Sequence, residues 1–222
     1  MNRVGRKPCR PLLDHASLEP MRESDCGRLK LIVDRTIFAI VPDVLNDPMR
    51  RLLVQRIDEL NDRSGSVVRS GVVYALRNIL HRIVEVRELA GSPPIRSIVE
   101  SILGPEARVV RGLMFDKRPE ANWGVPWHQD LTIAVANRVE VPGFAAWTRK
   151  ADIPHVQPPE EFLSRMLTLR IHRDADTPEN GPPRVIPGSH ATGRLDGDAT
   201  REWLERVAPV TCLVPERGAL IM

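Results

Sequence analysis

Residues 169–190 read LRIHRDADTPENGPPRVIPGSH, and this stretch says most about the fold. Apolar residues near its two ends, around Leu169 and Ile186, predict two short strands. Between them, Asn180-Gly181 is a dipeptide that favours the positive φ values of a hairpin turn. Pro187-Gly188 predicts a tight turn after the second strand. The stretch therefore predicts antiparallel β-structure in the second half of the chain.

Short β-rich segments surround this stretch, whereas the first half of the chain is helical in pattern. We predict strands at 28–34, 38–41, 109–115, 127–135, 166–172, 184–186 and 210–214. Apolar residues recur at helical spacing over 48–62, 73–90 and 94–103, and Asp47-Pro48 indicates an N-cap followed by proline. Helices followed by many short strands indicate an α+β chain whose second half is a sandwich or barrel.

The composition excludes several classes of protein. With 222 residues, 42% hydrophobic and 27% charged, the chain is typical of one soluble globular domain. Its 32 basic residues are spread among 29 acidic ones without a basic cluster, so we expect no nucleic-acid partner. No apolar run approaches the roughly 18 residues of a membrane span, and no secretory signal is present, so we expect a cytoplasmic protein. Cys9, Cys26 and Cys212 form no CxxC pair, which argues against disulfides and structural zinc.

Residues 125–133, VPWHQDLTI, carry the strongest chemical signal. On a strand, His128 and Asp130 project from the same face, with backbones about 6.6 Å apart. One histidine and one carboxylate are two of the three ligands of the facial triad found in non-haem Fe(II) oxygenases. Alone, a His-x-Asp pair is more often a surface pair or a hydrogen-bonded core histidine.

Several separated motifs together resemble the phytanoyl-CoA dioxygenase family of Fe(II)/2-oxoglutarate oxygenases. The matching pieces, in the family's order, are RVVRGLMFDKRPEANW at 108–123, WHQD at 127–130, VEVPGFAAW at 139–147, TPENGPPRVIPGSH at 177–190 and RGALIM at 217–222. The resemblance covers about residues 36–222. It implies a double-stranded β-helix, which is a cupin-like jelly roll, with N-terminal helices packed outside. It also implies hydroxylation of a small organic substrate coupled to decarboxylation of 2-oxoglutarate to succinate.

The same resemblance assigns roles to residues near the metal. His128 and Asp130 bind iron, and Trp147 and Gln129 line the co-substrate pocket. A core position suits Trp147 equally well, and Gln129 would point away from the metal on a regular strand. His190 is not expected to be a ligand, because the family's PGSH element is a turn. Three other histidines lie in no sequence context typical of a metal ligand, and we expect them to be ordinary surface or core residues: His81, His155 and His172.

The distal iron ligand is out of its usual order. Family members continue past a GALLM-like strand into a segment resembling RPLLLHAS, which carries the distal histidine, and then an arginine that binds the 5-carboxylate of 2-oxoglutarate. This sequence ends at Met222, whereas residues 10–17 read RPLLDHAS. The resemblance therefore implies His15 as third ligand, Ser17 as a co-substrate contact and Arg28 as the carboxylate clamp. Residues 1–35 are accordingly assigned to a segment resembling the family's C-terminal strands, and 36–222 to the jelly-roll domain with helices at 48–104.

Three explanations for this order remain open at this point. A circular permutation would keep the site complete and is tolerated where termini meet at the surface, so we favour it. A rearranged gene or a chance resemblance would leave His15 without a role. Asp14, which replaces an apolar residue, would destabilise a core unless paired. The alternative function is therefore an inactive or truncated jelly roll that binds a metal or ligand; a cupin-type isomerase fits less well, since no multi-histidine strand is present.

We expect residues 136–162, a predicted variable loop, to select the substrate, and no feature indicates an oligomeric state.

Overall fold

The computed structural model describes residues 26–60, 66–69, 72–116 and 124–222. Its helices are α1 (Cys26–Thr36), α2 (Asp47–Asp58), α3 (Ile79–Arg82), α4 (Val84–Ala90), α5 (Pro93–Leu103), α6 (Glu160–Leu163) and α7 (Gly197–Arg206), with a 3-10 turn at Ser189–Thr192. Its strands are β1 (Ala39–Val41), β2 (Ser66–Arg69), β3 (Val72–Arg77), β4 (Leu113–Phe115), β5 (Ile133–Ala134), β6 (Ala145–Lys150), β7 (Ile153–Gln157), β8 (Leu169–Ile171), β9 (Arg184–Val185), β10 (Val210–Thr211) and β11 (Ala219–Ile221). The predicted order, helices before most strands, is confirmed.

The described strands form small antiparallel sheets. Their orders are β1-β11-β8, β2-β3-β4, β5-β7-β6 and β10-β9. None of the described helices is long and apolar enough to cross a membrane.

The sheet β1-β11-β8 lies between two apolar clusters, and its geometry determines the direction in which the Arg170 side chain points. Its outer face packs against helical residues through Ala39, Val41, Ala219 and Ile221, with Leu169 and Ile171 beside them. Leu220 belongs to the other cluster, with Val185, Cys212 and Val214. Because side chains alternate along a strand, Arg170, which pairs with Leu220 across the sheet, faces away from the helical layer.

Two of the predicted helices are confirmed, with a shift at one terminus. For the helix predicted at 48–62, the structure has α2, whose N-cap is Asn46 and not Asp47, since the Asn46 side chain accepts the amide hydrogen of Met49. Proline in its first turn lacks an amide hydrogen that would be unpaired there in any case. The helix predicted at 94–103 is α5, which ends where Gly104 adopts φ 86°.

The strand predicted at 28–34 is wrong, because this segment is helix α1. Leu29 and Val33, four residues apart, are both buried, and α1 packs against α5. Lys30 and Asp34 form an i,i+4 ion pair of 2.9 Å on the exposed side. The alternation of polar and apolar residues that favoured a strand covers only a few positions. The helical spacing of Leu29 and Val33 instead places both side chains on the face of α1 that packs in the core.

The helix predicted at 73–90 is wrong in its first third. The segment Val72–Arg77 is strand β3, which pairs with β2 on one side and β4 on the other. Asn78 then takes a left-handed conformation with φ 60°, and the short helices α3 and α4 follow. Pairing on both edges outweighs a helical periodicity of apolar residues that also suits a buried strand.

The predicted hairpin around Asn180-Gly181 is also wrong in its pairing. Strand β8 pairs with β11, and β9 pairs with β10, so the two strands do not pair with each other. The turn chemistry is nevertheless present. The Asn180 side chain accepts the amide hydrogen of Thr177 and donates to the Ala175 carbonyl, and Gly181 has φ 72°.

The other strand predictions are confirmed in shortened form, with two differences in the region of the site. The described strands are shorter than predicted at 38–41, 109–115, 166–172, 184–186 and 210–214. Of 127–135, only Ile133–Ala134 is a strand. The predicted loop 136–162 contains the paired strands β6 and β7.

Cys212 is expected to be unreactive in the folded protein. Its side chain is fully buried, and burial raises the pKa of the thiol from 9.0 to about 11. At pH 8 the reactive thiolate is therefore about a hundredfold scarcer than in an exposed cysteine. Peptide-resolved mass spectrometry after iodoacetamide treatment should find Cys212 labelled only in denatured protein. Rapid labelling of the native chain would show that this core position is open.

Candidate metal centre

His128 lies in an exposed segment without regular secondary structure that precedes β5. Its ring Nδ1 is 2.8 Å from the Pro126 carbonyl oxygen. Because a carbonyl only accepts, Nδ1–H is the donor, and the lone pair of the neutral ring is on Nε2. Metal-binding histidines commonly use this arrangement, in which a hydrogen bond on one ring nitrogen fixes the tautomer and orientation of the other. His128 therefore fits the role of a metal ligand.

Asp130 is exposed and has no hydrogen bond to any residue of the described ranges. Arg111, just before β4, and Arg170, on β8, both experience the charge of this carboxylate. Burial lowers the pKa of each guanidinium. Asp130 opposes that effect at Arg111, whereas at Arg170 Asp176 opposes it most and Asp130 contributes less. No ion pair joins either arginine to Asp130 within the described ranges, so its carboxylate oxygens are not occupied by a described side chain.

Gln129, between the two candidate ligands, is held by a neighbouring loop. Its side-chain nitrogen donates to the Gly193 carbonyl at 3.0 Å, and its side-chain oxygen accepts the amide hydrogen of Leu195 at 2.8 Å. These two bonds fasten the His128 segment to residues 193–195. We therefore assign Gln129 a positioning part in the site, while its predicted contact with the co-substrate stays a prediction.

The third ligand is not found among the residues that the structure describes. Within the described ranges, no group of three or more His, Cys, Asp and Glu side chains could hold a metal. His15 and Ser17 lie outside these ranges, so their assignments stay predictions. His190 donates from Nε2 to the Asp34 carbonyl at 3.1 Å, which ties the PGSH turn to the end of α1. This contact agrees with a structural role for His190.

Arg28 is on the exposed side of α1. The strand that would have carried it into a barrel does not form, as described above. In the described part of the chain, no hydrogen bond or ion pair joins Arg28 to the His128 segment. The clamp role of Arg28 stays a prediction without structural support.

Two cations near Asp130, Arg111 and Arg170, were missed by sequence reasoning. A charged residue within an otherwise apolar strand, as in 167–171, LTLRI, was the available signal. A guanidinium that is partly withdrawn from water usually has a compensating partner, so such a residue is a candidate for a site.

Trp147 sits at an irregularity in β6. The register shifts between Ala145 and Thr148, and Ala146 has φ 50°. The Arg138 guanidinium lies over the Trp147 ring, 5.4 Å from its centroid. The indole N–H is buried and has no hydrogen-bond partner among the described residues. An unpaired buried donor costs free energy, so it is a natural contact for a bound molecule.

A methyl group at Gly112 is expected to disturb the segment that presents Arg111. A Cβ there would lie 2.8 Å from Leu80 Cγ and 2.9 Å from Ile79 Cγ1, atoms that cannot swing away freely. We expect Gly112→Ala to lower the free energy of unfolding by about 1–3 kcal/mol in urea titrations. Gly197→Ala is the control, since its Cβ meets nothing within 4 Å. Equal stability of both variants would disprove this close approach.

Comparison with known proteins relates the chain to one family. A sequence model of the family described as phytanoyl-CoA dioxygenase (PhyH) matches residues 40–211. The chain is 28% identical over 191 residues to the L-proline trans-4-hydroxylase of Streptomyces griseoviridis, which covers 81% of this chain and 63% of that protein. This chain thus spans less than two thirds of that relative's length.

Solved structures match over most of the chain. EctD from S. alaskensis with 2-oxoglutarate and 5-hydroxyectoine matches with a TM-score of 0.61 and 18% identity, over 96% of this chain and 73% of that one. EctD with bound Fe matches with a TM-score of 0.60 and 17% identity, over 96% and 74%. The epimerase SnoN in complex with Fe3+, alpha ketoglutarate and nogalamycin RO matches with a TM-score of 0.59 and 16% identity, over 90% and 74%. At these identities the likeness shows a common fold.

Proposed function

The chain belongs to the phytanoyl-CoA dioxygenase family, and from this premise we propose that it is an Fe(II)/2-oxoglutarate-dependent oxygenase that hydroxylates a small organic substrate. The observation that carries the proposal is the pair formed by His128, whose Nε2 lone pair is unused, and Asp130, whose carboxylate is unpaired. An imidazole nitrogen and a carboxylate oxygen are ligand types that Fe(II) oxygenases use.

We further propose that the strands form the double-stranded β-helix of this family. Sheet β1-β11-β8 would be part of one wall, with its outer face covered by helices and Arg170 facing inward. The His128 segment would lie at the inner side, which is consistent with the charge interaction between Asp130 and Arg170.

The chain's own residues would hold and orient the reactants. His128 and Asp130 bind the metal, and the Pro126 carbonyl keeps the His128 ring in the required tautomer. When bound, Fe(II) with 2-oxoglutarate supplies the oxygen activation that couples succinate and CO2 formation to substrate oxidation. His15 is proposed as the remaining protein ligand, and Ser17 and Arg28 as contacts of 2-oxoglutarate; these three rest on the sequence resemblance.

Succinate formation tests the proposal. Protein loaded with Fe(II) under nitrogen is given 2-oxoglutarate and then oxygen, with L-proline and ectoine as trial substrates. We expect succinate that depends on both iron and oxygen, because enzymes of this class also turn over slowly without their substrate. Absence of iron-dependent succinate under all conditions would contradict the proposal.

A second candidate is a jelly roll that binds a metal or ligand without turnover. The observation in its favour is that the described residues provide only two ligands. Such a protein would bind 2-oxoglutarate or a metal weakly and produce no succinate. The same assay therefore separates the two functions.

A further inference from the structure

Basic side chains from three separate segments line one small cavity next to the metal-binding segment. Arg77 ends β3, Arg111 precedes β4, and Lys150 ends β6. The cavity has a volume of about 30 Å³. A single water needs about 10–15 Å³ on this measure, so the space suits the two oxygens of a small anionic group and not a whole molecule.

These three cations have no partner of opposite charge within the described ranges. Within those ranges, no ion pair and no side-chain hydrogen bond involves Arg77, Arg111 or Lys150. Arg77 and Arg111 repel each other, and Asp130 is the carboxylate whose charge acts on Arg111. Unpaired like charges around a partly buried cavity favour the binding of an anion.

His155 gives a second, independent observation at the same cavity. Its side chain is only 3% exposed, and its Nδ1 donates to the Ile153 carbonyl at 3.0 Å. Its Nε2 is buried and has no hydrogen-bond partner among the residues described. A buried polar atom without a partner usually marks the place of a ligand or an ordered water.

The charge state of His155 follows from the groups that face the cavity. Burial lowers the pKa of His155, and Arg111, Lys150 and Arg77 lower it further, while His81 is the other titratable group lining the cavity. An anion would offset part of their positive charge and so shift the pKa of His155 upward. The ring would then take up a proton from solvent, so that Nε2–H donates to the anion.

We propose that this cavity is a carboxylate subsite and that it holds the carboxylate of the organic substrate beside Asp130. The identification of the ligand as the substrate rests on the proposed function, whereas the carboxylate site itself does not. Two guanidinium groups and one ammonium group from different elements supply charged hydrogen-bond donors for the two oxygens of a carboxylate. Ala134, on β5 four residues after Asp130, also lines the cavity, so the subsite lies next to the metal segment. The substrate class is then a small carboxylic acid.

Acetate is the probe, because it presents a carboxylate to the cavity whichever acid is the substrate. Metal-free protein comprising residues 1–222 is titrated with acetate at constant ionic strength, set with chloride, while nitrogen-15 NMR follows the imidazole of His155. We expect saturable shifts toward the protonated form. Arg111→Gln should weaken acetate binding about tenfold or more, since it removes charge-assisted hydrogen bonds. Lys150→Met is a second variant expected to act in the same direction.

Arg108→Gln is the matched control. Arg108 lies three residues before Arg111 in the same segment but is exposed and pairs with Glu106. Acetate affinity should not change in this variant. Unmoved His155 signals, or equal weakening by the Arg108 and Arg111 variants, would overturn the carboxylate site.

A second titration tests whether the carboxylate in the cavity belongs to the organic substrate or to the co-substrate 2-oxoglutarate. In Zn(II)-loaded protein, 2-oxoglutarate should leave acetate at the cavity, because the proposal gives the cavity to the substrate. Displacement of acetate from His155 by 2-oxoglutarate would overturn that assignment and give the cavity to the co-substrate. If acetate binds as expected but no succinate forms in the oxygenase assay, the proposed function fails while the carboxylate site stands.

Discussion

Replacing His128 with alanine is expected to lower the affinity for Fe(II) at least about 100-fold and to abolish succinate formation. Loss of a residue that merely supports a metal ligand typically costs 10–100-fold in affinity or activity, so loss of the ligand itself should cost more. The fold should persist, because the His128 side chain is exposed, and surface substitutions usually change stability by less than about 0.5 kcal/mol. Iron content after dialysis, succinate yield and the urea midpoint measure these three outcomes.

His190→Ala is the matched control for this variant. Like His128→Ala, it removes an exposed histidine side chain. The ring of His190, however, contacts the Asp34 carbonyl and is not expected to bind iron. Iron content and succinate yield should equal those of the unchanged protein. If His190→Ala loses iron and His128→Ala keeps it, the assignment of the metal centre is wrong.

His15→Ala is expected to cause a loss of the same size. If His15 is the third ligand, removing it leaves the metal with one imidazole and one carboxylate from the protein, and two ligands retain Fe(II) poorly. The expected result is again at least a 100-fold lower affinity, together with loss of succinate formation. Iron titration under nitrogen and the succinate assay are the measurements.

The His15 variant also decides among the explanations for the order of the motifs. A permuted but complete site requires His15→Ala and His128→Ala to behave alike. An active protein in which His15→Ala has no effect would disprove the permutation and place the third ligand elsewhere. If the parent protein forms no succinate and its affinity for Fe(II) is unchanged by His15→Ala, the rearranged gene is the favoured explanation.

Helices α2 and α5 could be predicted because their signals are local. Each has proline in its first turn and apolar residues at helical spacing, and Gly104 ends α5. The segment 28–34 and strand β3 were mispredicted because their states depend on partners distant in sequence. For α1 the partner is α5, and β3 pairs on both edges, with β2 and with β4. Short apolar runs suit a helix or a strand until such partners are known.

Some residues of the candidate site could likewise be predicted from local sequence, and others could not. His128 and Asp130 could be predicted because a two-residue spacing and the surrounding motifs identify them together. Arg111, Arg170 and His155 could not, since each lies in a separate segment of the chain. The sequence alone does not show that the charge of Asp130 acts on the two arginines, or that His155 lines a cavity together with Arg111. His155 was expected to be an ordinary residue, and only its unpaired buried Nε2 marks it as a candidate for binding.

Binding of 2-oxoglutarate to the Fe(II)-loaded chain without oxygen tests the central claim most directly. Isothermal titration calorimetry is performed on the unchanged protein with and without Fe(II), and on His128→Ala with Fe(II). We expect tight binding of one 2-oxoglutarate per chain only in the iron-loaded, unchanged protein, because chelation to the metal carries the affinity. Equal binding with and without iron, or in His128→Ala, would contradict an iron centre built on His128 and Asp130.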